Sequence, residues 1–143
     1  MSFDWARLID VAESMRNHAG TVAESDPGLA EAAWRAAVSR AYYGAFNRTR
    51  VAHRGYWGRD PIEADGLGVH AELLRSLEQK APHVGHPDVQ HAVDKLALDL
   101  RRLRDLRTRA DYDDQFEDAA RTADRALRLA KKIRDATLIL VRP

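Results

Sequence analysis

An apolar stripe near residue 100 limits the fold of this chain more than any other feature of its sequence. Leu96, Leu100 and Leu103 recur at spacings of four and three residues, which places them on one face of an α-helix. The next position on that face is Arg107, and a guanidinium on the core side of a helix is costly unless a partner compensates its charge. Asp111 lies one helical turn further on. The stripe therefore predicts a buried helix face that ends either in a structural ion pair or in a polar site.

Similar stripes run through the rest of the chain, and no segment alternates as a strand does. A first helix is predicted from a cap at Ser2 to about Ala23. A second begins at Pro27, behind Asp26 as its cap, and stops near Gly55.

The second half of the sequence predicts three further helices. A glycine-rich loop over residues 55–68 leads into a short helix over Val69–Lys80 and a turn over Ala81–His86. Pro87 opens the helix that carries the stripe, and the segment 114–117 (DQFE) resembles a capping box that opens the last helix. The predicted fold is one all-α domain over residues 1–143, an up-and-down bundle of four long helices with one short extra helix.

Composition excludes several classes of function. The 143 residues are 45% hydrophobic and 31% charged, as is typical of a soluble globular chain. The absence of cysteine excludes disulfides, zinc–thiolate sites and cysteine nucleophiles. The sequence has neither a signal-peptide pattern nor an apolar run of membrane-spanning length, so we expect a cytoplasmic protein with no membrane partner. The net charge of +1 means that any nucleic-acid binding depends on local patches.

The arginines carry more functional information than the histidines. The patterns GxxxxGK[ST], GxGxxG and GxSxG do not occur, and the six histidines lack HExxH spacing, so we expect no metal and no cofactor. Arginines cluster over residues 40–54 and 101–109, and guanidinium groups bind phosphate through paired donors. The clusters indicate either phosphate binding or solvated helix faces balanced by nearby aspartates.

Three segments resemble the HEPN family (higher eukaryotes and prokaryotes nucleotide-binding). Residues 39–46, SRAYYGAF, are similar to the family pattern SRAYYAxF, and residues 103–113, LRDLRTRADYD, are similar to LRxxRxxADYD. Between them, Gly68-Val69-His70 with Leu73-Leu74 resembles a histidine-led segment of the family. The order and spacing of the segments agree over about residues 29–130.

The resemblance implies a HEPN helical bundle that forms a homodimer, with the sites of two copies meeting across a groove. Many HEPN proteins are metal-independent ribonucleases of toxin–antitoxin, CRISPR or phage-defence systems, and a small nucleotidyltransferase is often their partner. Their catalytic pattern is an arginine followed, after four to six residues, by a histidine. The arginine would steady phosphate charge, and the histidine would serve in acid–base catalysis.

The sequence departs from this catalytic pattern. No histidine follows Arg104 or Arg107, because His91 is the last histidine of the chain. Asp111 stands near the expected place, and with a reference pKa of about 3.9 an aspartate pairs with arginine better than it donates a proton. The candidate catalytic residues are therefore Arg107, Asp111 and Arg104.

Three functions remain open. The first is an RNA-, nucleotide- or partner-binding domain of a prokaryotic defence or toxin–antitoxin-like module, with a degenerate ribonuclease motif. The second is an active metal-independent endoribonuclease, and the third is a purely structural interaction domain. RNA, a second copy of the chain and a nucleotidyltransferase-type antitoxin are the expected partners. Tyr42 and Phe46 are predicted to face inward. The candidates for binding RNA or phosphate are Arg40, Tyr43, His70, Arg104, Arg107 and Tyr112.

Overall fold

The computed structural model describes residues 2–62 and 68–140. Within these residues the chain forms helices, turns and loops but no strand, which confirms the prediction of an all-α helical bundle. Two short 3₁₀ turns, over Ala81–His83 and Leu138–Leu140, follow the third and the fifth helix. The five α-helices are α1 (Arg7–Val22), α2 (Pro27–Trp57), α3 (Val69–Lys80), α4 (Pro87–Tyr112) and α5 (Ala119–Thr137).

Helix α2 is the centre of the bundle, and it packs against α1, α4 and α5. Its approach to α1 is close at Gly44, where an added Cβ would lie 3.0 Å from Ile9 Cγ1 and 3.2 Å from Ile9 N. The HEPN pattern has alanine at this position. The glycine in this chain therefore permits a tighter contact between α1 and α2 than an alanine would.

Two predicted boundaries of α2 and α1 need correction. The second helix ends at Trp57 and not near Gly55, because Gly58 adopts the left-handed conformation (φ 72°) that closes a helix. Residues 63–67 of the predicted loop lie outside the described residues. Ser2 does not cap α1, which begins at Arg7; instead, the Asp4 carboxylate accepts a hydrogen bond from Ala6 N at 3.1 Å in the preceding turn.

The predicted capping box at residues 114–117 is also wrong. Helix α5 begins at Ala119, behind Asp118, whose φ of 53° is left-handed and whose side chain makes no capping hydrogen bond. The reason is Phe116, which is buried in the core and so turns the α4–α5 connection inward. Arg35 of α2 covers the Phe116 ring at 4.8 Å and donates a hydrogen bond from Nη1 to Ala110 O at 2.9 Å. Burial of one aromatic side chain thus overrides the local capping pattern.

Candidate functional site

Helix α4 places Arg107 in the core as its apolar stripe predicts. Leu96, Leu100 and Leu103 are buried, and Arg107 continues their face with a relative exposure of 7%. Asp111 lies in the last turn of the same helix, close to solvent. The partial burial of Arg107 is confirmed, so its charge needs compensation from its surroundings.

That compensation is incomplete. Arg107 Nη1 lies 3.6 Å from Asp111 Oδ2, which is an ion-pair distance but is too long for a hydrogen bond. Arg107 Nε is buried and has no hydrogen-bond partner among the residues that the structure describes. The guanidinium carbon instead lies 5.1 Å from the centre of the Tyr42 ring and 5.8 Å from that of Tyr43. The faces of two aromatic rings supply part of the attraction that a bonded carboxylate would give.

Tyr42 joins this arginine to the first turn of α3. Its hydroxyl group and His70 Nδ1 are 2.5 Å apart, a short hydrogen bond. The His70 ring also packs against the Phe46 ring, with centroids 4.7 Å apart. Gly68, with φ of 80°, is the residue immediately before α3, and His70 in the first turn of that helix lies against the rings of α2. Tyr42 and Phe46 face inward, as predicted.

The environment of this pair keeps both groups neutral at pH 7. Burial, followed by the charges of Arg107 and Arg104, lowers the pKa of His70 to about 4. Burial also raises the pKa of Tyr42, against the opposing effect of the two arginines. The phenol therefore keeps its proton and donates a hydrogen bond to His70 Nδ1, and the neutral imidazole carries its own proton on Nε2.

A second guanidinium lies against Tyr43. Arg40 Cζ is 5.7 Å from the centre of the Tyr43 ring, so this half-buried tyrosine contacts both Arg40 and Arg107. Arg104, one turn before Arg107, is half-buried. The site therefore holds three positive charges, those of Arg40, Arg104 and Arg107. In the described part of the chain, the one carboxylate within ion-pair distance of any of them is that of Asp111, beside Arg107. The arginine–tyrosine site, as we call it, consists of Arg40, Tyr42, Tyr43, His70, Arg104, Arg107 and Asp111.

The structure brings together most of the residues that the sequence nominates, with one exception. Tyr112, at the end of α4, is 73% exposed and makes no ring contact within the site. The sequence identified Tyr42 as a packing residue with its polar end near the site, but it did not identify His70 as the partner of the Tyr42 hydroxyl. The spacing of a stripe reports which face a side chain occupies, but it does not report the partner of its polar end.

His53 is a buried histidine that the sequence did not single out. Its Nδ1–H donates to the carbonyl oxygen of Arg59 at 3.1 Å, and its Nε2 accepts from the Ser76 hydroxyl at 2.7 Å. Burial lowers the pKa of His53. The signal was its spacing of seven residues from Phe46, which continues the buried face of α2. The bond to Ser76 joins the end of α2 to α3, and the bond to Arg59 holds the segment that follows α2.

Among residues 2–62 and 68–140, no group of three or more histidine or acidic side chains is arranged to hold a metal ion. In the same two ranges, no helix combines the length and the apolar character needed to cross a bilayer. The functional groups of the arginine–tyrosine site are guanidinium groups, aromatic rings, a neutral imidazole and the carboxylate of Asp111. These groups suit the binding of an anion.

Comparison with known families identifies the family to which the chain belongs. The model of the HEPN domain family matches residues 8–140, and the chain therefore belongs to the HEPN domain family. Neither a curated protein nor a solved structure matches the sequence. Membership confirms the resemblance at the level of the family and supports a ribonuclease-like or partner-binding helical module.

Proposed function

We propose that this chain is an RNA-binding HEPN domain that holds phosphate groups at the arginine–tyrosine site. The observation that carries the proposal is the excess of positive charge there. Arg40 and Arg107 lie against the Tyr43 ring, and the charge of Arg104 helps to lower the pKa of His70. Among residues 2–62 and 68–140, Asp111 is the one carboxylate within ion-pair distance of Arg107. An RNA phosphate would supply the negative charge needed to balance these arginines, which the described residues do not provide.

The same geometry favours binding over cleavage. Attack of a ribose 2′-hydroxyl on the adjacent phosphate needs one group to accept a proton and another to donate one. With a pKa of about 4, His70 is protonated in about one molecule in a thousand at pH 7, and its Nδ1 is already bonded to Tyr42. Asp111 Oδ2 lies 3.6 Å from Arg107 Nη1, which places this carboxylate as a charge partner of the arginine. The motif is thus consistent with a degenerate ribonuclease site.

The assembly that we propose is a homodimer within a defence or toxin–antitoxin-like module, with a nucleotidyltransferase as the protein partner. Support for this assembly comes from family membership. A dimer would place two arginine–tyrosine sites on one RNA-binding particle, which would raise its apparent affinity for a long strand.

Binding is tested with fluorescently labelled single-stranded RNA and the purified chain, by fluorescence anisotropy at low salt. Arg107→Met removes the guanidinium and keeps an unbranched side chain in its place, and we expect RNA affinity to fall at least tenfold. The matched control is Arg101→Met, because Arg101 is an exposed residue of the same helix and is paired with Glu78. Equal affinity of both variants and the wild type would contradict the proposal.

The same RNA is analysed on a denaturing gel after incubation with and without EDTA. We expect it to remain intact in both cases. Cleavage that persists in EDTA and disappears in Arg107→Met would instead identify an active metal-independent ribonuclease.

A further inference from the structure

A second basic surface lies where the end of α4 meets the start of α5. It is a groove of about 370 Å³, lined by Arg109 of α4 and by Arg121, Arg125 and Arg128 of α5. We call it the arginine groove. Arg109 lies two residues after Arg107, which is about 200° around the helix, so the groove and the arginine–tyrosine site occupy nearly opposite faces of α4.

The charges of the four arginines in the groove are not compensated by carboxylates in the described part of the chain, unlike those of several other surface arginines. None of them has a carboxylate within ion-pair distance among the described residues, whereas Arg7, Arg101 and Arg134 each pair with one. The acidic residues in the lining are Glu117 and Asp118. Four positive and two negative side chains leave a local excess of two positive charges in a chain whose net charge is +1.

The arginines of α5 form a row. Arg121, Arg125 and Arg128 follow at spacings of four and three residues, so they share one face of α5 and cover about 10 Å along its axis. Arg109 contributes from α4, with its guanidinium carbon 5.9 Å from the Phe116 ring. A row of guanidinium groups along a groove fits an extended chain of negative charges better than a single small anion.

The extended negative ligand could be a nucleic acid or an acidic protein, and the residues that line the groove distinguish between the two. Protein interfaces bury an apolar centre, and interfaces with nucleic acids are more polar and more positive. The one large apolar side chain in the lining, Leu106, is buried. The large apolar side chains that the described residues expose all lie outside the groove, namely Phe3, Val11, Leu29, Leu98, Tyr112, Leu138 and Ile139.

We infer that the arginine groove binds the phosphate backbone of the RNA strand, in addition to the contact at the arginine–tyrosine site. This inference rests on the proposed RNA-binding function. Contacts to phosphate carry no base information, so the groove adds affinity that is independent of sequence and strongly dependent on salt. Its contribution is therefore visible in the salt dependence of binding.

The experiment compares two triple variants of the full chain. In the groove variant, Arg121, Arg125 and Arg128 are each changed to Gln; in the control variant, Arg7→Gln, Arg101→Gln and Arg134→Gln remove the same charge from paired arginines elsewhere. RNA affinity is measured by anisotropy over a series of KCl concentrations, after thermal melts have shown that both variants fold. For single strands each phosphate contact contributes about 0.7 to the slope of log K against log[salt], so the groove variant should lower the slope by about 2. The control should keep the wild-type slope.

Three results with the variants would overturn the inference. An unchanged slope in the groove variant would show that the groove does not contact RNA, and an equal loss in both triple variants would show an effect of net charge alone. A glutamate-rich peptide that binds the wild type more tightly than RNA of equal charge, and fails to bind the groove variant, would assign the groove to a protein partner. The two proposals fail separately: normal binding by Arg107→Met with a loss in the groove variant refutes only the arginine–tyrosine site. A wild type that binds no RNA at low salt refutes both.

Discussion

Replacing Arg107 by methionine should stabilise the fold while it weakens RNA binding. In the native chain the Arg107 side chain is nearly buried, its Nε has no hydrogen-bond partner among the described residues, and its carboxylate neighbour is 3.6 Å away. An unsatisfied buried donor costs about 1–3 kcal/mol. The cation–π contacts with Tyr42 and Tyr43 offset about 0.5–2 kcal/mol of this cost. Asp111 is exposed, so its loss of a partner costs little.

The balance predicts that Arg107→Met raises the free energy of unfolding by about 1 kcal/mol, or the melting temperature by about 3 °C. Urea denaturation monitored by circular dichroism measures the change, and an unchanged m-value would show that the native state stays equally compact. Asp111→Asn serves as the control, because it removes the ion pair and keeps the guanidinium; we expect a change of at most about 1 kcal/mol. A loss of more than about 2 kcal/mol in Arg107→Met would show that the arginine is a structural residue and would refute this reasoning.

Three further predictions concern packing, pH and assembly. Gly44→Ala should destabilise the fold by about 1–3 kcal/mol, because the new methyl group meets the side chain and backbone of Ile9. Gly55→Ala should stabilise the fold by about 0.5–1 kcal/mol, because nothing lies within 4 Å of the new methyl group and alanine favours the helix. Urea denaturation of both variants measures the two changes. Because the pKa of His70 is about 4 when folded and about 6.5 when unfolded, the unfolded chain binds more protons between these values, and stability should fall as pH is lowered through that window. His70→Gln should flatten this dependence in thermal melts, and an identical pH profile in the variant would contradict the assignment. Light scattering at micromolar concentration should give twice the mass of one chain, and a monomer at every concentration would argue against the homodimer.

The periodicity of the sequence was enough to predict the helices and the burial of Arg107. A residue on an apolar stripe must face the core whatever packs there, so Leu96, Leu100 and Leu103 located the arginine before any contact was known. The start of α3 was predicted correctly for a local reason too, since Gly68 supplies the left-handed residue at which the helix begins. Properties that depend on a few neighbouring residues were within reach of the sequence.

Capping was less predictable, because caps compete with the core. The segment 114–117 has the residues of a capping box, but burial of Phe116 against Arg35 sets the path of the chain there, and α5 begins later. At the N-terminal end, the Asp4 carboxylate and not Ser2 accepts the hydrogen bond from the backbone, at Ala6 N. A cap stabilises a helix by about 1 kcal/mol, and burying an aromatic side chain contributes more, so tertiary packing decides such conflicts.

The sequence by itself determined the main apolar face of each helix and that arginines gather near the end of α4. Only the tertiary structure decided their partners, because partners come from different helices. It placed His70 of α3 on Tyr42 of α2, left Arg107 Nε without a hydrogen bond in the described part of the chain, and lined one groove with arginines of α4 and α5. The physical reason is that helical periodicity is a property of one segment, whereas uncompensated charge is a property of everything packed around it.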